Sequence, residues 1–337
     1  MKFFKFLKTY MFSLTISLMV VSTILGMYFH PLFTALKPTL PLALFVMLYP
    51  MMIGPDFRRL GQFGTNGKYV INNLILNIII SPLLIYALLQ LIPIHNPAFL
   101  AGLVLIAVAP MAGSAAAFTG LAGGNVPLTL LGVTLTLLVS IFTVPLYTKL
   151  LVGTVIYVPV MKLFYSILIY VIVPLILGQL TRYIWIRQKG EAHFKANKEI
   201  LSGISMIGMY WMVIMVFGLE GAIVLHHPAL AVKAIVLMSI FYVVLFSMAI
   251  LLAKLFKFSY ADMVSLYYST CKNMSISTAL AIASFGPLGG IGTAMGGPFT
   301  DMWMMILSVR FLPRLKSWFN DDKPADKKET ILNEKTV

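Results

Sequence analysis

The chain has 337 residues, is 60% hydrophobic and only 11% charged, and has a mean hydropathy of +0.93, whereas soluble domains run at about 45–50% apolar and about 25% charged. That surface cannot be hidden in one soluble core, and repeated apolar runs of about 20 residues mark a helical integral membrane protein. The net charge of +14 is dispersed between apolar runs and makes no patch for nucleic acid, and the single cysteine excludes internal disulfides and a Cys-cluster metal site.

The first segment, "MKFFKFLKTYMFSLTISLMVVSTILGMYF", resembles a secretory signal. Its apolar part is long enough to span, and no small-residue cleavage site follows, so it reads as an uncleaved first helix. Nine further spans follow, giving ten at about 10–29, 39–54, 69–92, 98–122, 127–149, 160–181, 200–220, 229–253, 261–285 and 290–311. The third, "NNLILNIIISPLLIYALLQLI", lacks the polar–apolar alternation of a barrel strand. Most of the 25 Lys and Arg residues fall in the N-terminus, in 55–68, 182–199 and 254–260, and after 310. The loops on the other side, such as "PIHNP" and "GPLGG", are nearly bare of them. The positive-inside rule then puts both termini in the cytoplasm of a cell-membrane protein. Residues 312–337 read as a cytoplasmic polar tail, whose end, "NDDKPADKKETILNEKTV", reads as disordered.

The fold class expected is all-α, with two five-helix repeats over 1–154 and 155–311. Five is odd, so the second repeat enters the membrane inverted, an arrangement common among secondary transporters. The fourth span carries "APMAGSAAAFTG", where Pro110 and Gly113 interrupt an apolar run. The ninth carries "STCKNMSIST" at the corresponding place, with Lys272 between long apolar stretches. Each interruption is followed by a Gly-rich exit, "LAGGNVP" and "SFGPLGG". Paired broken helices point to a transport site, because unwound backbone exposes carbonyls and half-helix N-termini. A lysine at a helix centre costs about 2.5–3.5 kcal/mol on insertion scales, a cost usually retained for function. The structural alternative is a lysine satisfied by a carbonyl or by Asp301. Asn273, Ser275 and Ser277 flank the ninth-span break, and Ser114 and Thr119 flank the fourth. They offer polar contacts to a substrate, or they satisfy backbone groups freed by the break. Asn77 reaches the core from the third span, or makes an interhelical hydrogen bond.

These segments resemble the bile acid:sodium symporter superfamily, which includes the Acr-type arsenite permeases, over nearly all of 10–311. "ALFVMLYPMMIGPDFRRL" is similar to its second span and following loop, and "NLILNIIISPLLIYAL", with Asn77 and Pro82, to its third. "AGLVLIAVAPMAGSAAAFTGLAGG" is similar to its fourth. "KNMSISTALAIASFG" followed by "GGPFTDMWMMI" is similar to the ninth and tenth spans of the arsenite permeases. The resemblance implies ten helices, a panel and a core domain, and two discontinuous helices crossing in the core. The departures fall on the chemistry. Arsenite permeases have a cysteine where this chain has Met111 and a glutamate where it has Ser275, while their tenth-span glutamate is matched by Asp301. A thiolate is the natural soft ligand for a trivalent arsenical. Sodium-coupled members have a Ser–Asn pair at Ala115 and Ala116, and a Glu and a Gln at Tyr268 and Lys272. Those side chains supply no oxygen in a sodium shell except the tyrosine's hydroxyl, and Thr129 remains as one plausible ligand.

The reading that follows is a secondary transporter for a small organic anion. Lys272 would stand where relatives hold a sodium ion, and a proton would be the coupling ion. Arsenite or antimonite efflux is the alternative within transport, and a non-transporting ligand sensor the alternative outside it. An enzyme is disfavoured by the lack of paired carboxylates, a His cluster or a Ser–His arrangement. ATP drive is disfavoured by the lack of a phosphate-binding loop. No cofactor, metal or nucleic-acid partner is expected; lipid is. The pair His226–His227 has no third ligand and reads as a solvent-exposed loop.

Overall fold

A computed structural model describes residues 10–54, 66–153, 158, 160–226, 228–296 and 307–319. Among them every regular element is helical, and the sole strand-like feature is an isolated antiparallel bridge between Met111 and Lys272. The helices in chain order are α1 (Met11–Leu36), α2 (Leu40–Met52), α3 (Gly67–Leu91), α4 (Pro97–Val108), α5 (Ala115–Leu121), α6 (Val126–Val152), α7 (160–196), α8 (Lys198–His226), α9 (Pro228–Leu255), α10 (Tyr260–Tyr268), α11 (Met274–Phe285) and α12 (Pro287–Gly296). Five stretches among the described residues are long and apolar enough to cross a membrane: Ser13–Met52, Gly67–Leu91, Val126–Val152, Ile200–Ala222 and Pro228–Leu255. Large apolar side chains stay exposed along them, among them Tyr28, Leu91, Phe142 and Leu255, as a lipid-facing surface requires.

Several helix bounds differ from the sequence expectation for local reasons. The first helix runs on to Leu36 through Pro31, with the bend taken at Phe29. The sixth span does not stop near 181. It continues helically until Gly190 adopts φ +80°, and a last helical stretch then reaches Ala196. That extension is held by packing: Phe194 is buried beneath the Arg182 guanidinium, 4.8 Å from the ring centre, and Arg182 also donates to the Gly54 carbonyl at 2.9 Å. The tenth span is described at 287–296 and again from 307.

α8 packs along both α1 and α2, and α7 along α2. The other main packing group centres on α4, where every residue from Phe99 to Val108 is buried. α4 is enclosed by α3, α6, α11 and α12. α4 and α12 approach so closely that a methyl group at Gly102 would overlap the Gly289 carbonyl. The fully apolar, uniformly buried character of α4 marks it as a core helix and not an amphipathic surface one.

Candidate functional site

Both interruptions form where the residues cannot continue a helix. Ala109 precedes a proline and is extended, with ψ 154°, so α4 ends at Val108 and α5 starts only at Ala115. At the end of α10, the Ser269 and Thr270 hydroxyls donate back to the Leu266 and Tyr267 carbonyls at 2.6 Å each, a local bond that competes with the helical ladder. Asn273 then caps α11, its Oδ1 accepting from the Ile276 amide at 3.1 Å.

The two breaks meet. The Ala112 amide donates to the Cys271 carbonyl and the Asn273 amide to the Pro110 carbonyl, each at 2.8 Å. Met111 and Lys272 therefore face each other as a non-hydrogen-bonded antiparallel pair, and the backbone freed by each break is satisfied partly by the other. The Met111 amide donates to the Thr136 hydroxyl oxygen of α6 at 3.1 Å. Ser277 donates to the Leu105 carbonyl at 3.2 Å, tying α11 to α4.

Lys272 is fully buried at this crossing. Its Nζ donates to Asn77 Oδ1 at 2.8 Å. Asn77 sits in a π-helical segment of α3, Ile75–Ile80, just before Ser81–Pro82, where the proline has no N–H to continue the α ladder. The Asn77 amide nitrogen has three acceptors around it: the Asn73 carbonyl at 3.0 Å, Asn73 Oδ1 at 3.1 Å and the Ser269 carbonyl at 3.2 Å. Asn73 Nδ2 in turn donates to the Tyr69 hydroxyl at 3.2 Å. Tyr69, Asn73 and Asn77 are four residues apart, share one helix face and are all buried. They form a polar file along α3 that ends at Lys272. A methyl group at Gly132 of α6 would overlap both the Asn73 amide nitrogen and the Tyr69 hydroxyl, so the file runs directly over that glycine.

A second polar cluster lies where α5, α6 and α10 meet. Thr129 donates to the Thr119 hydroxyl at 3.0 Å, and Thr119 to the Ala115 carbonyl at 2.8 Å; both are fully buried. Asn125 caps α6 through its Oδ1 and donates through Nδ2 to Asp262 at 2.9 Å. Ser265 donates to the Asn125 carbonyl at 2.8 Å. A shallow crevice opens between α3, the end of α4 and α6, lined by Asn77, Pro110, Thr136, Ser140 and Thr143.

Of the residues singled out in the sequence, the crossing brings together Pro110, Lys272, Asn273, Ser277 and Asn77. Thr119 and Thr129 bond to each other in the second cluster. Gly113 and Ser114 are exposed at the start of α5, and Ser275 is half-buried in the first turn of α11. Asp301 lies outside the described residues, as does His227, and His226 is exposed. The sequence reading missed Tyr69, Asn73, Asn125, Asp262 and Thr136. The four-residue spacing of Tyr69, Asn73 and Asn77 in an apolar span was the available signal for the first two. Among the described residues no three His, Cys, Asp or Glu side chains come together as a metal site.

The chain is 26% identical to "Uncharacterized transporter slr0944" of Synechocystis sp., with 89% of this chain and 84% of that protein covered. It is 24% identical to the "Arsenical-resistance protein Acr3" of Alkaliphilus metalliredigens, with 83% of each covered. It is 27% identical to the "Uncharacterized sodium-dependent transporter YocS" of Bacillus subtilis, with 88% of this chain and 90% of that protein covered. Residues 41–227, more than half of the chain, match the Sodium Bile acid symporter family, and the chain is a membrane protein belonging to that family.

Proposed function

We propose that the protein is a secondary transporter that carries a small organic anion across the cell membrane, coupled to a proton and not to sodium. The observation that carries this reading is Lys272: a lysine with no exposed surface, at the point where two broken segments pair. Burying such a group is expensive, and at this point it supplies a positive charge from the protein itself. A buried amine can take up and release a proton, so anion and proton would bind together and leave together. The positions that resemble sodium ligands are Ala115, Ala116, Tyr268 and Lys272. Thr119 and Thr129 spend a hydroxyl contact on each other. The two halves, 1–154 and 155–311, are read as inverted repeats of ten spans in all, with both termini in the cytoplasm. The reading assigns no catalysed reaction.

Arsenite or antimonite efflux is the second reading, favoured by the Acr3 likeness and by the buried Cys271 thiol beside Lys272. One experiment separates the two. The purified chain in proteoliposomes is offered a panel of radiolabelled organic anions and arsenite, with a pH gradient imposed and with sodium or potassium outside. The expected result is accumulation of an organic anion that follows the pH gradient in either cation. Arsenite movement alone, or uptake that collapses in potassium, would overturn the reading.

A further inference from the structure

We propose that Asn77 is the positioning residue that holds the α10–α11 break and aims the Lys272 amine, with the Asn73 and Ser269 backbone carbonyls fixing the polarity of its amide. This deepens the reading of Lys272 given above and rests on it.

An asparagine side chain can in principle present either its oxygen or its nitrogen to a neighbour. Here the nitrogen is surrounded by three acceptors, two of them backbone carbonyls that cannot reverse their role. The oxygen is therefore left facing Lys272 Nζ. Turning the amide over would set an oxygen against three oxygens and a nitrogen against an ammonium or amine. The orientation is thus imposed by α3 and by Ser269, and not by Lys272 alone. Asn73 adds a third acceptor through Oδ1, which leaves its own amide nitrogen to the Tyr69 hydroxyl.

Asn77 also touches both sides of the break. Its nitrogen reaches the Ser269 carbonyl, one residue after the end of α10, and its oxygen takes the Lys272 amine, two residues before α11. One side chain from another helix clamps the five-residue stretch, 269–273, that α10 and α11 leave non-helical. The π-helical segment supplies the placement, since such bulges re-aim side chains and recur at functional sites. The acceptor that Asn77 offers is neutral. A neutral oxygen holds the amine in place while leaving it able to exchange to an anion.

The chain carries its own reporter, because its only cysteine, Cys271, is buried immediately before Lys272. The rate at which N-ethylmaleimide alkylates Cys271 in the purified full-length protein measures how often the crossing opens. Asn77→Ala should raise that rate by about tenfold or more, and Lys272→Met should do the same, because each removes the clamp. Asn77→Asp keeps the acceptor for Lys272 and loses the donor to Ser269, so its rate should lie between the parent's and that of Asn77→Leu, which keeps the volume with neither polar atom and should label about tenfold faster or more. A residue that merely fills space would give parent-like labelling with Leu. A parent-like rate in Asn77→Leu, or in Asn77→Ala, would overturn the proposal. If Asn77→Ala fails to fold, a parent-like rate in Lys272→Met overturns it equally. The labelling does not depend on transport. Normal labelling changes beside normal transport by a Lys272 variant would sink the function and spare the clamp, and the converse result would do the opposite.

Discussion

Asn125 donates to Asp262 at 2.9 Å across the base of two helices, so that the cap of α6 and the first turn of α10 share one hydrogen bond. The Asn125 amide also donates to the Ala261 carbonyl at 2.9 Å. A carboxylate in a first helical turn gains from the N-terminal dipole, and here it also holds the neighbouring cap in position. Asp262→Ala should cost about 1–2 kcal/mol of stability, read as a lower unfolding midpoint in detergent. Asn125→Ala should cost more, since it loses the cap and the tie together. The double variant should fall short of the sum, because both changes remove the same bond. Strict additivity would show that the two residues act separately.

Gly132 lets the α3 polar file pass. A methyl group there would overlap the Asn73 amide and the Tyr69 hydroxyl, and would press on the Met111 sulfur at 3.3 Å. Gly132→Ala favours the helix by propensity, yet it should destabilise the protein by about 1–3 kcal/mol through overpacking. It should also raise the alkylation rate of Cys271, by displacing Asn73 and through it Asn77. A more stable Gly132→Ala protein would show that α3 has room to withdraw.

Much of this arrangement was legible in the sequence, and the reason differs from residue to residue. Pro110 and Lys272 stood out because each breaks a rule that the surrounding span obeys: one removes a backbone donor, the other puts a charge in an apolar run. The pairing of Met111 with Lys272 was not readable residue by residue, because it depends on how two segments more than 150 positions apart come together. Asn73 is inconspicuous for a simpler reason. One polar residue in a membrane helix is commonplace, and only the spacing Tyr69–Asn73–Asn77 carries information. Asp262 stands at the start of its helix, where a carboxylate is ordinary capping chemistry, and nothing local discloses that Asn125 is its partner. The continuation of α7 past 181 depended on Phe194 docking under Arg182, a tertiary contact that overrides a charged local composition.

Sodium dependence is expected to be absent. Thr129, read from the sequence as one plausible sodium ligand, donates to Thr119, and Thr119 donates to a backbone carbonyl. These hydroxyls satisfy each other within the protein. Replacing sodium by potassium at fixed pH and fixed membrane potential should leave initial uptake rates in proteoliposomes unchanged. Thr129→Ala should lower stability through the lost buried bond, by about 1 kcal/mol, without introducing any response to sodium. A steep sodium dependence in the parent protein that disappears in Thr129→Ala would place a cation at this cluster.

The most direct test of the proposed mechanism is Lys272→Gln. Glutamine keeps most of the length and can still meet Asn77 with its amide nitrogen, so the break keeps a partner on α3. What it removes is the charge and the ability to take up a proton. If Lys272 served only to satisfy the Asn77 oxygen, the variant would fold and transport as before. Under the proposed mechanism, the loss of the charge weakens anion binding, and the loss of titration disconnects uptake from the pH gradient. Concentrative, gradient-driven uptake should fall by about tenfold or more, while the purified protein remains monodisperse and unfolds cooperatively. Exchange of substrate at equal concentrations on both sides should also become insensitive to the gradient. Accumulation at the parent level, still driven by the pH gradient, would reduce Lys272 to a structural residue and move the coupling site elsewhere in the chain.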